Sequence, residues 1–290
     1  MFDLIHVAGN TYYIENPARI GVYVIDKNVW LVDGGFAPDA GVRILDVITK
    51  QGWTLKGIIV THAHPDHVGG CRYLQSKTNC KIFAHGVEVA LTQFPVLHPS
   101  FTYGGRPYRV LRGKSNMAEP CSVCEMEGKI PSELQLILLR GHSFDMVGIR
   151  TPDDIVFLAD ALCAENVLAH YGITFVYDVG AYLDTLDMLF SLKAKIFIPS
   201  HVPPANDIRK LVQLNKKSVF SVADTIASWC VPQATNEMLL QKVFKQYRHS
   251  INFDQYGLVG STMRSYLAWL KDTGRVETEF KDNILYWKKS

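Results

Sequence analysis

Hydrophobic and polar positions along the first two hundred residues alternate between short β-branched runs and amphipathic stretches. Residues 22–26 and 29–33 are predicted to form a hairpin, and residues 39–51 a helix. Five further strands are predicted at residues 57–61, 81–85, 134–139, 155–159 and 195–199. Strands that alternate with helices in this way predict an α/β fold.

The pattern is interrupted between residues 94 and 131, where prolines and glycines break any long element. We therefore expect a long insertion loop. It carries three aromatic residues and three arginines, a mixture suited to covering an anionic or aromatic substrate. A surface insertion without a ligand is the alternative. These six residues are Phe101, Tyr103, Arg106, Tyr108, Arg109 and Arg112.

The character of the chain changes to helices after Pro204. Predicted helices at 207–230, 236–248 and 256–271 are followed by a two-stranded hairpin at 275–280 and 283–287, which together suggest a winged-helix-like segment. The sequence thus predicts two domains, 1–205 and 206–290. The second holds 13 Lys and Arg against 8 Asp and Glu, so a polyanionic partner is conceivable, although a solvated face explains the charge equally well.

Composition is that of a compact globular protein, with 48% hydrophobic and 20% charged residues among 290. Apolar runs fall far short of the roughly 18 residues that a membrane span needs, and the first residues do not resemble a signal peptide, so a cytoplasmic protein is predicted. The six cysteines are expected to be free thiols. Cys121 and Cys124 have the spacing of a metal knuckle but lack a second pair, which favours a structural or incidental role.

The strongest chemical signal is a cluster of four metal-binding side chains that directly follows a predicted buried strand. His62, His64, Asp66 and His67 lie within six residues. Imidazoles and a carboxylate packed this closely gain little stability except around a cation. Pro65 argues against a regular helix or strand, so we expect a loop that directs several ligands into one cavity.

Three later residues fit the same cavity, because each follows a predicted strand. They are His142, Asp160 and His201. Seven ligands are too many for one ion, and they suit two metal ions that share a bridging carboxylate and a bridging water.

With these residues in place, the sequence resembles the metallo-beta-lactamase superfamily, whose His-x-His-x-Asp-His motif is complete here. The resemblance covers about residues 10–205 and implies a four-layer αβ/βα sandwich, with Asp33 as a structural aspartate. It also implies the metal ligands. His62, His64 and His142 would bind one ion, Asp66, His67 and His201 the other, and Asp160 would bridge them.

Within the superfamily, the segment around His142 looks most like the glyoxalase II branch. That branch usually has Pro-Gly-His-Thr where this chain has Arg140-Gly141-His142-Ser143. Arg140 either tolerates the turn or reaches the cleft as an anion contact. The segment 265–276 is similar to the C-terminal winged helix of beta-lactamase-like protein 2, a single-strand endoribonuclease. This likeness raises RNA as a partner, with a helix that merely packs on the body as the alternative.

The expected function is that of a metal-dependent hydrolase with two zinc ions per chain, iron or manganese being the alternative metals. A bridging hydroxide, positioned by Asp66 as a catalytic residue and by Asp160, would cleave an ester, thioester or lactone of a small-molecule substrate. Two other activities stay open. One is single-strand endoribonuclease or phosphodiesterase activity at the same site, and the other is mononuclear-iron oxygenase activity of the persulfide dioxygenase kind. The oligomeric state is open, a homodimer included.

Overall fold

The structure is a computed structural model that describes residues 2–247 and 251–290. Within these ranges the helices are α1 (Ala37–Lys50), α2 (Pro65–Val68), α3 (Cys71–Thr78), α4 (Val87–Gln93), α5 (Leu97–Tyr103), α6 (Glu165–Tyr171), α7 (Val179–Ser191), α8 (Arg209–Trp229), α9 (Asn236–Gln246) and α10 (Phe253–Asp272). The strands are β1 (Leu4–Ala8), β2 (Thr11–Ile14), β3 (Ile20–Ile25), β4 (Asn28–Val32), β5 (Thr54–Ile59), β6 (Lys81–Ala84), β7 (Cys124–Glu125), β8 (Gln135–Leu138), β9 (Val147–Arg150), β10 (Ile155–Ala159), β11 (Ile196–Pro199), β12 (Val276–Lys281) and β13 (Ile284–Lys289).

The described strands form two large sheets and one hairpin. The first sheet has the order β1-β2-β3-β4-β5-β6-β7, antiparallel up to β4 and parallel from β4 onward. The second has the order β11-β10-β9-β8, in which β9 runs against its neighbours. Strands β8, β10 and β11 therefore point the same way, and their carboxyl ends lie at one edge.

The core is divided by these sheets into three apolar layers. One lies between the two sheets and joins, for example, Ile59 of β5 to Phe157 of β10. Another packs α1 and α3 on the outer face of the first sheet, and a third packs α7 through α10 on the outer face of the second. Helix, sheet, sheet and helix thus stack as four layers, which confirms the predicted αβ/βα sandwich.

Helices α8, α9 and α10 and the β12-β13 hairpin follow the body of the protein, as the sequence predicted. Fully buried Leu267 and Leu270 of α10 belong to the same apolar cluster as Val156 and Leu158 of the second sheet. This segment therefore completes the fourth layer. The predicted helix end at Arg248 lies outside the described residues, and both the winged-helix assignment and the division at residue 205 stay predictions.

Two local expectations were wrong. Pro65 does not prevent helix formation, because it occupies the first position of the one-turn helix α2, where a missing N–H costs nothing. The segment 94–131 is not structureless, since it contains α5, a 3₁₀ turn at Val110–Arg112 and β7. Pro99 likewise stands in the first turn of its helix, and Gly104 ends that helix with φ +83°.

In the described ranges, helices rich enough in apolar residues to cross a lipid bilayer are not found. The six cysteines, all within those ranges, are free thiols. Cys121 is buried whereas Cys124 is exposed at the edge of the first sheet, and neither belongs to the metal-competent groups found among the described residues.

Candidate metal centre

The seven predicted ligands meet where the carboxyl ends of strands from both sheets come together. The segment from His62 to His67 follows β5 in the first sheet. His142, Asp160 and His201 follow β8, β10 and β11 in the second sheet. Parallel strands present their ends at one edge, which explains why residues far apart in sequence converge.

A first cluster brings three imidazoles to one point. His62 Nε2 lies 3.0 Å from His64 Nδ1, and His142 Nε2 lies 3.1 Å from the same atom. Three ring nitrogens thus meet at one point, and each unprotonated nitrogen offers one lone pair there. Burial lowers the pKa of each of these histidines, which keeps the rings neutral and their lone pairs available.

A second cluster joins two histidines to two carboxylates. Asp66 Oδ2 lies 3.0 Å from His201 Nε2, and His67 Nε2 lies 3.2 Å from Asp160 Oδ1. Burial lowers the pKa of His201, but the carboxylates of Asp160 and Asp66 outweigh that effect and raise it to about 10. The same balance raises the pKa of His67. The two carboxylates therefore favour a positive charge within the second cluster.

Asp160 belongs to both clusters. Its Oδ2 lies 3.5 Å from His142 Nε2 on one side and 3.4 Å from His201 Nε2 on the other. All ligand atoms of each cluster lie within 4.8 Å of one another. The carboxylate is thus placed to contact two ions at once.

The donor set fits a pair of zinc ions. Imidazole nitrogens and carboxylate oxygens are preferred zinc ligands, and each cluster offers four donors, with Asp160 counted in both. Within the described residues, the buried atoms His67 Nε2 and Asp160 Oδ1 lie 3.2 Å apart yet form no aligned hydrogen bond with each other or with another group, as expected of atoms that serve as metal ligands.

Asp33 supports the second cluster from behind. Thr61 donates to this buried carboxylate twice, from its backbone N–H to Oδ1 at 2.8 Å and from its hydroxyl to Oδ2 at 2.8 Å. His67 Nδ1 lies 2.7 Å from Oδ2. The structural role that the resemblance implied for Asp33 is therefore seen as three polar contacts that hold the ligand segment.

Glu88 on α4 connects the two ligand segments of the first cluster, and sequence reasoning missed it. Its Oε2 accepts from the Ala63 N–H at 2.9 Å, and its Oε1 accepts from the Ser143 hydroxyl at 2.6 Å and from the Asp145 N–H at 3.2 Å. Glu88 is fully buried, and burial raises its pKa. A lone glutamate in an amphipathic stretch carries no local signal, because its partners lie 25 and 55 residues away.

The turn before His142 depends on a glycine. Gly141 has φ +115°, and a Cβ there would approach the Tyr182 backbone nitrogen to 2.3 Å. Arg140, the departure from the glyoxalase II pattern, keeps 51% of its side chain exposed, and its Nε donates to Asp145 Oδ1 at 3.0 Å. This contact supports a residue that merely tolerates the turn, rather than one that reaches the cleft as an anion contact.

The rim of the centre contains two aromatic rings that the sequence did not single out as ligands. His98 on α5 packs its ring 4.8 Å from that of His64, and burial lowers its pKa to about 4. The centroid of the Phe175 ring lies 5.3 Å from that of His64 and 5.6 Å from that of His142. By contrast, Asp66 and His201 keep 37% and 38% of their side chains exposed, so solvent reaches the second cluster.

Comparison with known proteins agrees with this geometry. The metallo-beta-lactamase superfamily model matches residues 8–201, and the chain belongs to that superfamily. A hydroxyacylglutathione hydrolase from Nitrobacter hamburgensis is 46% identical over 71 residues, 24% of each chain. One from Rhodopseudomonas palustris is 48% identical over 63 residues, 21% of this chain and 24% of that protein. The chain thus matches about a quarter of the length of these curated relatives.

Solved structures share the fold at low identity. A beta-lactamase domain protein from Burkholderia ambifaria has a TM-score of 0.79 at 17% identity, covering 99% of this chain and 94% of that one. A metallo-beta-lactamase family protein from Thermus thermophilus has a TM-score of 0.71 at 17% identity, covering 99% and 97%. A metallo-beta-lactamase from Pontibacter korlensis, with a TM-score of 0.57 at 15% identity, covers 76% of this chain and 99% of its own.

Proposed function

We propose that this protein is a dinuclear zinc hydrolase that cleaves thioesters, with esters and lactones as related substrates. The observation that carries the proposal is the pair of donor clusters that share Asp160. The relatives named hydroxyacylglutathione hydrolase support the thioester, because an acyl group on the glutathione sulfur is a thioester.

The ligands would divide as the superfamily pattern implies. His62, His64 and His142 would hold one ion, Asp66, His67 and His201 the second, and Asp160 both. When bound, two zinc ions lower the pKa of a shared water toward neutrality and polarise the substrate carbonyl.

Residues of this chain would position the attacking water and the metal ligands. Asp66 is the partly exposed carboxylate of the second cluster, so it can accept a hydrogen bond from the attacking water and hold its proton. The water oxygen forms the new bond to the acyl carbon, the carbon–sulfur bond breaks, and the thiolate leaves and takes up a proton. Asp33 and Glu88 act through the ligands that they hold in place.

Elemental analysis of protein purified without chelator or a metal-binding tag tests the proposal, followed by assay on a panel of thioesters, lactones and single-stranded RNA. About two zinc ions per chain and thioester hydrolysis are expected, with the activity lost in His64→Ala and retained in His170→Ala, a change at an exposed histidine of α6. One iron per chain with little zinc would contradict the proposal and point to the oxygenase activity. Cleavage of RNA without thioester hydrolysis would point to the endoribonuclease.

A further inference from the structure

A cavity of about 250 Å³ begins at the edge of the metal centre, between α6 and the first half of α10. Phe175 belongs to both places, because its ring contacts the ligands His64 and His142 and also lines the cavity. Cys163, three residues beyond Asp160, lines it as well. Phe175 and Cys163 thus place the cavity directly beside the metal centre.

The walls of the cavity are uncharged among the described residues. They comprise Cys163, Val167, Tyr171, Ile173, Thr174, Phe175, Gln255, Leu258, Val259 and Thr262. Two of the polar side chains are already engaged. The Thr262 hydroxyl donates to the Leu258 carbonyl at 3.0 Å, and Thr174 faces the Cys163 thiol, whose pKa burial raises to about 11. The cavity thus offers mainly apolar surface to an occupant.

We propose that this cavity is an acyl-binding subsite that takes an apolar acyl chain of medium length. The inference rests on the proposed function and names its substrate class. An uncharged wall favours a hydrocarbon over a carboxylate or an ammonium group, which would lose hydration without gaining a partner. A volume slightly below the range typical of whole small-molecule sites suits one part of a substrate. The carrier thiol would then lie on the exposed side of the second cluster, toward Asp66 and His201.

Thioesters of one carrier, N-acetylcysteamine, with acetyl, butanoyl and hexanoyl groups provide the test. Each fully buried methylene contributes about fourfold, so hexanoyl should exceed acetyl by at least tenfold in kcat/KM. A flat or falling series in an active enzyme would overturn the subsite and leave the proposed hydrolase standing.

Helix α6 offers a matched pair of variants. Val167 lines the acyl-binding subsite, whereas the next residue, Leu168, lines a separate cavity against α8. Val167→Phe should lower kcat/KM for the hexanoyl thioester at least fivefold while acetyl changes less than twofold. Leu168→Phe should leave both within twofold. Equal loss of both substrates in Val167→Phe would contradict the inference.

A second variant and a binding measurement cover the remaining outcomes. Leu258→Phe fills the subsite from α10 and should repeat the effect if Val167→Phe does not fold.

Calorimetry with octanoate and acetate separates the subsite from the activity. If no thioester is hydrolysed, the proposed function fails. The subsite still stands when octanoate binds at least tenfold more tightly than acetate and Val167→Phe removes the difference, and it falls when the two bind equally.

Discussion

Asp33 Oδ2 lies 2.7 Å from His67 Nδ1, and both side chains are buried. A carboxylate can only accept, so Nδ1 carries a proton, and Nε2 faces Asp66 and Asp160. This contact fixes both the tautomer and the orientation of a proposed zinc ligand.

Asp33→Asn should therefore weaken the second metal site more than the first. The introduced amide N–H would donate to Nδ1 and place the imidazole proton on Nε2, where it blocks metal binding. We expect a loss of about 10–100-fold in zinc affinity at one of two sites. Calorimetric titration and metal analysis would show one ion retained per chain. Asp39→Asn, at an exposed position of α1, serves as the control, and an unchanged second site in Asp33→Asn would contradict this role.

Glu88→Ala should lower both stability and activity, because it leaves three donors without an acceptor in a buried place. Each buried unsatisfied group costs about 1–3 kcal/mol. For three such groups, urea denaturation should show a loss of roughly 3 kcal/mol or more in the free energy of unfolding. Ser143→Ala removes one of the three contacts and should cost about 1 kcal/mol. If Glu88→Ala costs no more than Ser143→Ala, Glu88 does not hold the two ligand segments together.

Removal of residues 206–290 should yield an insoluble body. The deletion uncovers the outer face of the second sheet, since α10 residues such as Leu267 share its core with Val156. Leu267→Ala, a milder change, should cost about 2–5 kcal/mol. Met238→Ala, at a side chain 47% exposed on α9, should cost little. Recovery of a soluble, cooperatively unfolding 1–205 fragment would show that the two parts are independent.

Cys124 should be the fastest thiol to react with a disulfide reagent under native conditions. It is exposed, whereas Cys71, Cys80, Cys121 and Cys230 are buried and Cys163 is partly buried. Burial raises the pKa of Cys121 to about 11, which suppresses its reactive thiolate form. A rapid phase of about one thiol per chain should vanish in Cys124→Ser and persist in Cys121→Ser. A rapid phase that survives Cys124→Ser would contradict the assignment of exposure.

The sequence predicted those elements and site residues whose pattern lies within a short stretch of the chain. The predicted strand at 155–159 coincides with β10, and the predicted helix at 236–248 begins at the same residue as α9. The His62–His67 segment is recognisable because its donors lie within six residues. Strand β9 went unpredicted because its four residues include a glycine and give too short a period to detect.

The rest of the centre depends on tertiary contacts that leave no trace in the local pattern. Glu88 becomes important only when Ala63 and Ser143 are brought to it from distant parts of the chain. The sequence pattern does not predict helix α5, because Pro99 indicates a break, although a proline in the first turn is compatible with helix geometry. Which of these side chains meet depends on how the strands are arranged in the two sheets.

Because the donors of the centre come from both sheets, they are synthesised at different times. A chain leaves the ribosome amino end first, so His62 to His67 emerge early, while His201 follows roughly 130 residues later, a delay on the order of 10 s. His142 and Asp160 emerge within that interval and supply the rest of the first cluster, whereas the second cluster lacks His201 until the interval ends. Metal insertion into the finished centre must therefore follow the emergence of His201, when the second sheet has docked on the first.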